Sequence, residues 1–217
     1  MNPILHLIED VFSDGADMTL PPSPRMMFVT HGAVSIAEQS IGGGEAWHGE
    51  DEVTVTAGPE GATCWRFELS GSLIDHVVVA HGVASRVKLA APLEFLPAGD
   101  LLFRGDSVAF PPGGTAMLHR HQGPGIRCLI EGGIRIDTHG RSTSYGPGGA
   151  WFESGPEPVF AQAAADRPSR FIRAMILPQS LLGKSSIQYV NEEDKAKPKS
   201  QSYKVFADMP ITRHRGG

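Results

Sequence analysis

Two neighbouring runs decide the fold, Phe110-Pro-Pro-Gly-Gly-Thr-Ala-Met-Leu-His119-Arg-His121 and Cys128-Leu-Ile-Glu-Gly-Gly133-Ile-Arg-Ile136. Each places a Gly- or Pro-rich turn beside residues that alternate between apolar and polar, which is typical of short antiparallel strands. Alternate side chains of a strand share one face. His119 and His121 are therefore expected to point inward together, with Arg120 on the opposite face.

The same pattern occurs earlier in the chain, which predicts an internal duplication. Five stretches of the first half correspond in order to stretches of the second half. The pairs are Met18–Pro22 with Val108–Pro112, Val34–Ile36 with Ile134–Ile136, Gly43–Trp47 with Pro147–Trp151, Val53–Ala57 with Val159–Ala163, and Cys64–Leu69 with Phe171–Ile176.

The first copy is shorter than the second. Ten residues separate Pro22 from Gly32, whereas 20 separate Pro112 from Gly132. The segment without a counterpart contains His119 and His121. We therefore expect the first copy to contribute no ligand to a metal, from His31 or His48 in particular.

Composition favours an all-β protein and excludes several kinds of partner. The chain has 26 Gly and 17 Pro in 217 residues, consistent with many short strands joined by tight turns. Its net charge of −5 gives no general attraction to nucleic acid or anionic membrane. With no signal peptide and no apolar run of membrane-spanning length, we expect a soluble cytoplasmic protein, with Cys64 and Cys128 as buried reduced thiols.

The second copy resembles the cupin superfamily. The two opening runs are similar to the first cupin motif, and Tyr145-Gly-Pro-Gly-Gly-Ala-Trp-Phe-Glu153-Ser-Gly-Pro-Glu-Pro158 is similar to the second. With the duplication, the resemblance implies a bicupin with two tandem jelly-roll barrels and a C-terminal extension. The expected divisions are residues 1–85 as a degenerate, metal-free barrel, 86–178 as the barrel with the site, and 179–217 as an extension with an edge strand.

The resemblance implies a metal site, although part of the family's ligand set is missing. Gly125 occupies the position of the family's Glu, and Val159-Phe160 that of its third His. Strand parity points Glu153 inward, so we predict that His119, His121 and Glu153 bind a divalent transition metal, with Gln122 as a weaker fourth ligand. Imidazole and carboxylate suit Fe, Mn, Ni, Cu or Zn.

Arg127 gives these residues two other interpretations. It also faces inward by parity, and it could form a buried ion pair with Glu153 in a metal-free pocket. It could instead bind a substrate carboxylate, which its planar guanidinium fits. Arg127 and Glu153 are thus the candidate catalytic residues, and Arg127, Trp151 and Phe160 are expected to line the substrate pocket.

Two functional hypotheses follow. The first is a metal-dependent cupin enzyme, of oxygenase, isomerase or lyase type, that acts on a small organic acid or carbonyl compound. The second is a small-molecule-binding or sensor protein without catalysis; a purely structural role is a third possibility. We also expect a homodimer, with the alternating stretch at 201–206 as a contact strand.

Overall fold

The computed structural model describes residues 2–71 and 78–212. Apart from two short 3₁₀ turns at Gln179–Leu181 and Glu192–Lys195, its regular elements are β-strands. These are β1 Ile4–Phe12, β2 Asp17–Leu20, β3 Arg25–Ile36, β4 Gln39–Gly42, β5 Ala46–Gly49, β6 Val53–Ser70, β7 Val83–Pro92, β8 Leu101–Phe110, β9 Thr115–His121, β10 Gly125–Glu131, β11 Ile134–Thr138, β12 Arg141–Tyr145, β13 Ala150–Glu153, β14 Val159–Ala163, β15 Ser169–Pro178, β16 Ile187–Tyr189 and β17 Ser202–Pro210. The all-β fold class is confirmed.

The chain divides into two compact units, Met1–Glu94 with Ile211–Gly217, and Phe95–Pro210. The first boundary lies at Glu94 rather than at residue 85, because β7 pairs with β1 along its whole length and a division at 85 would cut it. Residues 179–210 do not form a separate extension, since β16 pairs with β9 and β17 pairs with β8. The strand expected at 201–206 is β17, which lies at one edge of its sheet.

The first unit is one seven-stranded antiparallel sheet with the order β4-β3-β6-β1-β7, in which β2 also pairs with β6 and β5 with β3. Its apolar core includes Met27, Val29, Ile36 and Val55. Strand β1 is almost completely buried, so it lacks the alternation that marks a half-exposed strand. An alternating pattern in the sequence therefore does not identify β1 as a strand.

Buried charges also occupy the first unit. Glu68 Oε2 lies 2.7 Å from Arg25 Nε and 3.1 Å from Arg66 Nη1, and Arg66 Nε lies 2.8 Å from Asp10 Oδ2. Ser85 donates to the same Asp10 carboxylate at 2.6 Å. Two arginines and two carboxylates thus compensate one another where isolated charges would be very costly.

The strand registers correct one of the five repeat correspondences. Leu20 of β2 pairs with Val53, and His119 of β9 pairs with Val159. Because Val53 and Val159 are equivalent in the repeat, β2 corresponds to β9, and Met18–Pro22 does not correspond to Val108–Pro112 at the end of β8. Leu20, fully buried, therefore stands where the second unit has His119.

The second unit consists of two five-stranded antiparallel sheets, β13-β10-β15-β8-β17 and β12-β11-β14-β9-β16. Its core includes Phe110, Leu129, Trp151, Val159 and Phe171. The first sheet carries β10 and β13, and the second carries β9. The arrangement is the jelly roll expected from the sequence.

Two further sequence expectations concern thiols and membrane spans. Cys64 and Cys128 are buried and not joined in a disulfide, as predicted, and burial raises the pKa of Cys64 to about 12, so that its thiol stays protonated. Within the described residues, no helix combines the length and the apolarity needed to cross a membrane.

Removal of Glu68 should destabilise the first unit strongly. Glu68→Ala leaves Arg25 and Arg66 buried with less compensation, and loss of one partner of a buried ion pair costs about 3–5 kcal/mol. We expect a loss of that order in the free energy of unfolding, measured by urea denaturation. Glu60→Ala, at an exposed position of the same strand, should change it by less than about 0.5 kcal/mol. Equal effects of the two substitutions would contradict a stabilising network.

Candidate functional site

Three strands bring the predicted site residues together. In β10 and β13, Gly125 pairs with Glu153 and Arg127 pairs with Trp151, so Arg127, Trp151 and Glu153 lie on one face. His119 and His121 of β9 line the same cavity from the other sheet. The inward orientation predicted from strand parity is confirmed for all five side chains.

The two imidazoles are in contact with each other. His119 Nε2 and His121 Nε2 are 3.2 Å apart, and the rings lie nearly perpendicular at 86°. Both side chains are buried, with exposures of 5% and 4%. Two nitrogens that belong to alternate residues of one strand thus converge on one point of the cavity.

The tautomer of His119 follows from its partner. His119 Nδ1 lies 2.7 Å from the Met117 carbonyl oxygen, which only accepts, so Nδ1 donates and Nε2 keeps its lone pair. His121 Nδ1 lies 3.3 Å from Ser186 Oγ. A hydroxyl both donates and accepts, so Ser186 is compatible with a proton on either nitrogen of His121.

Burial keeps both rings neutral. Desolvation lowers the pKa of His119, although the Glu153 carboxylate partly opposes this shift. Desolvation, reinforced by the positive charge of Arg127, lowers the pKa of His121 well below its usual value of 6.5. Neutral imidazole is the form that binds metals and accepts protons.

Glu153 is held by one hydrogen-bond donor and one ion-pair partner. Trp151 Nε1 donates to Oε1 at 2.8 Å, and Arg127 Nη2 lies 2.7 Å from Oε2. The same Oε2 is 3.5 Å from His121 Nε2. Arg127 is 1% exposed and also donates to the Gly125 carbonyl at 2.7 Å. The buried ion pair considered from the sequence is therefore present.

Burial lowers the pKa of Arg127 to about 10, with desolvation as the largest cause and Glu153 opposing it. The guanidinium therefore stays charged at neutral pH, with its charge balanced by Glu153. Trp151 in turn is fixed by its neighbours, stacked on Tyr145 at 4.9 Å between centroids and edge-on to Phe171 at 5.3 Å.

Sequence reasoning missed a second ion pair in the cavity wall. Arg173 Nε and Nη2 donate to the two carboxylate oxygens of Asp106 at 2.7 and 2.9 Å, and both side chains are buried. A signal was available, because Arg173 interrupts the apolar run Phe171–Ile176. A charge inside a buried strand requires a partner.

The C-terminal residues of the second unit also contribute to the site, and no local pattern in the sequence predicts this. Strand β16 pairs with β9 so that Ile187 lies opposite His121 and Tyr189 opposite His119. Ile187, Gln201 and Tyr203 line the cavity. Such long-range pairing has no local pattern in the sequence.

Two expected site residues lie elsewhere. Val159 and Ala161 of β14 face inward, which turns Phe160 to the opposite side, where it lies 5.8 Å from the Arg135 guanidinium. Phe160 therefore does not line the pocket. Gln122 follows the last residue of β9 and is not among the described side chains that line the cavity.

The packing around Gly125 explains why this position does not hold the glutamate of a typical cupin. A Cβ atom at this position would lie 2.5 Å from the Ala174 carbonyl oxygen and 2.7 Å from Met175 Cγ. Only glycine fits this close approach of strands β10 and β15. The position that the family uses for a ligand is closed by packing in this chain.

The cavity between these residues has a volume of about 20 Å³. That is room for about one water-sized group. The space therefore suits a single ion or a small reacting group, and a larger molecule requires additional room outside it.

The imidazole pair fits a metal, whereas the carboxylate has a competing partner. Donor atoms bound at about 2.1 Å to one ion lie about 3.0–3.4 Å apart at tetrahedral or octahedral angles, and the two Nε2 atoms match that spacing. Across the described residues, no group of three or more His, Cys, Asp and Glu is arranged to hold an ion. Glu153 can complete such a group only by sharing Oε2 with Arg127.

The chain resembles known proteins in structure but not in sequence. No family model matches the sequence, and no curated protein sequence is significantly similar to it. The solved structures that are similar to the chain include several of oxalate decarboxylase from Bacillus subtilis, of which three are described. A serine-to-alanine variant is 14% identical with a TM-score of 0.60, covering 78% of this chain and 68% of that chain.

The other two structures match over more of the chain. A tryptophan-to-phenylalanine variant is 12% identical with a TM-score of 0.65, covering 89% of this chain and 73% of that chain. The enzyme at pH 4.6 is 13% identical with a TM-score of 0.62, covering 91% and 73%. At this identity the likeness shows the fold alone, and that fold agrees with the all-β jelly roll that the sequence motifs predicted.

The neutral histidines make stability depend on pH. A lowered pKa in the folded state means that the unfolded chain binds more protons between the folded pKa and about 6.5. In chelator-treated protein, the free energy of unfolding should therefore fall as pH drops below about 6.5. In the double variant His119→Gln/His121→Gln, the free energy of unfolding should fall less steeply as pH drops. Urea denaturation at several pH values measures this slope. His139→Gln, at an exposed position, is the control; a double variant with the wild-type slope would contradict this account.

Proposed function

We propose that the second unit binds one divalent transition metal through Nε2 of His119 and Nε2 of His121. The observation that carries this proposal is the 3.2 Å separation of two buried, neutral imidazole nitrogens. Glu153 is the third ligand in this proposal, because its Oε2 is 3.5 Å from His121 Nε2. The metal is Fe, Mn, Ni, Cu or Zn, ions for which imidazole is a suitable ligand.

We further propose that the protein is an enzyme acting on a small organic acid or carbonyl compound. One of the similar structures comes from a study of the Mn(II) centres of oxalate decarboxylase, a metal enzyme with an organic-acid substrate. A metal bound here supplies a Lewis acid or an O₂-binding centre. The volume of about 20 Å³ limits the reacting end of the substrate to a small group.

The chain's own residues position and neutralise charge around that centre. Arg127 forms an ion pair with Glu153 and aims its carboxylate at His121, while Trp151 fixes the second carboxylate oxygen. The Met117 carbonyl holds the proton of His119 on Nδ1 and so presents the Nε2 lone pair to the cavity. Such partners outside the ligand set orient ligands and tune their basicity.

A metal-free binding protein is the second candidate, and the Arg127–Glu153 pair favours it. Without metal, His121 can donate from Nε2 to His119 and accept from Ser186 at Nδ1, which satisfies both rings. Arg127 would then supply the positive charge of the pocket. The two proposals differ in whether the imidazole nitrogens face an ion or each other.

Metal content separates the two. Protein purified without chelator should contain close to one transition metal per chain, and His119→Ala/His121→Ala should lose it, measured by elemental analysis with reconstitution by Fe, Mn, Ni, Cu and Zn. The matched control is His31→Ala/His48→Ala in the first unit, which should keep the full content. Metal-free wild type that takes up none of these ions would favour the binding protein. Metal loss in the control would contradict the prediction that the first copy contributes no ligand.

Two earlier expectations stay predictions. We propose a homodimer that pairs through the main-chain groups of the edge strand β17. An edge strand favours association with a second strand, because such pairing satisfies its outward-facing main-chain groups. A cytoplasmic location is likewise a proposal based on the two reduced thiols.

A further inference from the structure

The site cavity adjoins a second and much larger one. This outer compartment has a volume of about 380 Å³, within the range of small-molecule pockets, and is formed largely by residues 183–208. Arg173, Ile187 and Tyr203 line both spaces. Val205 lines the outer compartment and is 57% exposed, so this compartment is reachable from solvent.

A ligand that fits both spaces has two parts of different size. The inner cavity, at about 20 Å³, holds one small group, whereas the outer compartment holds a body the size of a benzene ring or larger. A two-carbon acid would leave most of the outer compartment filled with water. The space therefore indicates a longer molecule whose reacting end alone reaches the histidines.

The lining of the outer compartment is apolar and positively charged. Ile187, Tyr189, Tyr203 and Val205 supply apolar surface. Its charged side chains are four cations, Arg104, Arg173, Lys184 and Lys199, and two anions, Asp106 and Asp208.

The surplus charge resides on the lysines. Asp106 is bound by Arg173 at 2.7 Å, and Asp208 is bound by Arg104 at 2.8 Å. Lys184 Nζ donates to a main-chain oxygen, and Lys199 Nζ donates to main-chain oxygens and lies 3.9 Å from the centroid of the Tyr189 ring. The net excess of two positive charges favours an anionic ligand.

We propose that the outer compartment is a subsite for the body of the substrate, which is a carboxylate with an apolar body of at least benzene-ring size. This inference rests on the proposed function for the identity of the reacting centre. It adds that residues 183–208 select the substrate. The apolar body lies against Ile187, Tyr203 and Val205, and its polar end enters past Arg173.

The experiment measures binding of phenylacetate, acetate and benzyl alcohol by calorimetry, with metal content determined on the same samples. Phenylacetate should bind about tenfold or more tightly than acetate, because burial of its ring contributes in proportion to apolar area. It should also bind more tightly than neutral benzyl alcohol. Equal affinities for phenylacetate and acetate, or for phenylacetate and benzyl alcohol, would overturn the inference.

A pair of variants locates the binding. Val205→Glu introduces a negative charge and a polar group into the outer compartment and should weaken phenylacetate binding about fivefold or more. Ser202→Glu carries the same charge on the same strand, at a position outside the lining, and should leave the affinity nearly unchanged. Equal weakening by both variants would place the ligand elsewhere.

The outcomes separate the subsite from the metal centre. Phenylacetate binding that Val205→Glu weakens, in protein that takes up no metal, supports the subsite and removes the metal-dependent function. Full metal content without preference for phenylacetate overturns the subsite and leaves the proposed function in place.

Discussion

Burial of charge inside closed β-structure is the constraint that organises this chain. In the first unit, Arg66 and Glu68 compensate Arg25 and Asp10 without solvent. In the second, Arg127 is paired with Glu153 at 2.7 Å. These buried charged side chains each meet an opposite charge, since an isolated buried charge costs far more than a domain's net stability allows. The second unit differs because its charges surround a cavity that also holds two imidazoles.

In that cavity, the Glu153 carboxylate lies next to two side chains that compete for it. Arg127 neutralises its charge and fixes its orientation, and His121 lies within reach of the same oxygen. A metal ion at the imidazole pair would therefore share Glu153 with a guanidinium, which weakens the carboxylate as a ligand but holds it in place. The balance between Arg127 and an ion decides whether the barrel acts as a metal centre or as a charged binding pocket.

Much of this arrangement could be predicted from the sequence, because strand alternation is a local property. It placed His119, His121, Arg127, Trp151 and Glu153 on inward faces. The resemblance wrongly placed Phe160 in the pocket, whereas in the structure this side chain lies on the opposite side of β14. Alternation does not identify β1, because this strand is buried on both faces. The contribution of residues 183–208 was not predictable, since pairing of β16 with β9 depends on contacts between residues far apart in sequence.

The central claim is that the two imidazoles of β9 face a metal ion rather than each other. Pulsed electron paramagnetic resonance on protein loaded with Cu(II) measures it most directly, because each coordinated imidazole gives a characteristic coupling from its distant nitrogen. We predict couplings from two imidazoles in the wild type, with one remaining in His119→Gln. A spectrum without imidazole couplings, or one unchanged by His119→Gln, would contradict the account.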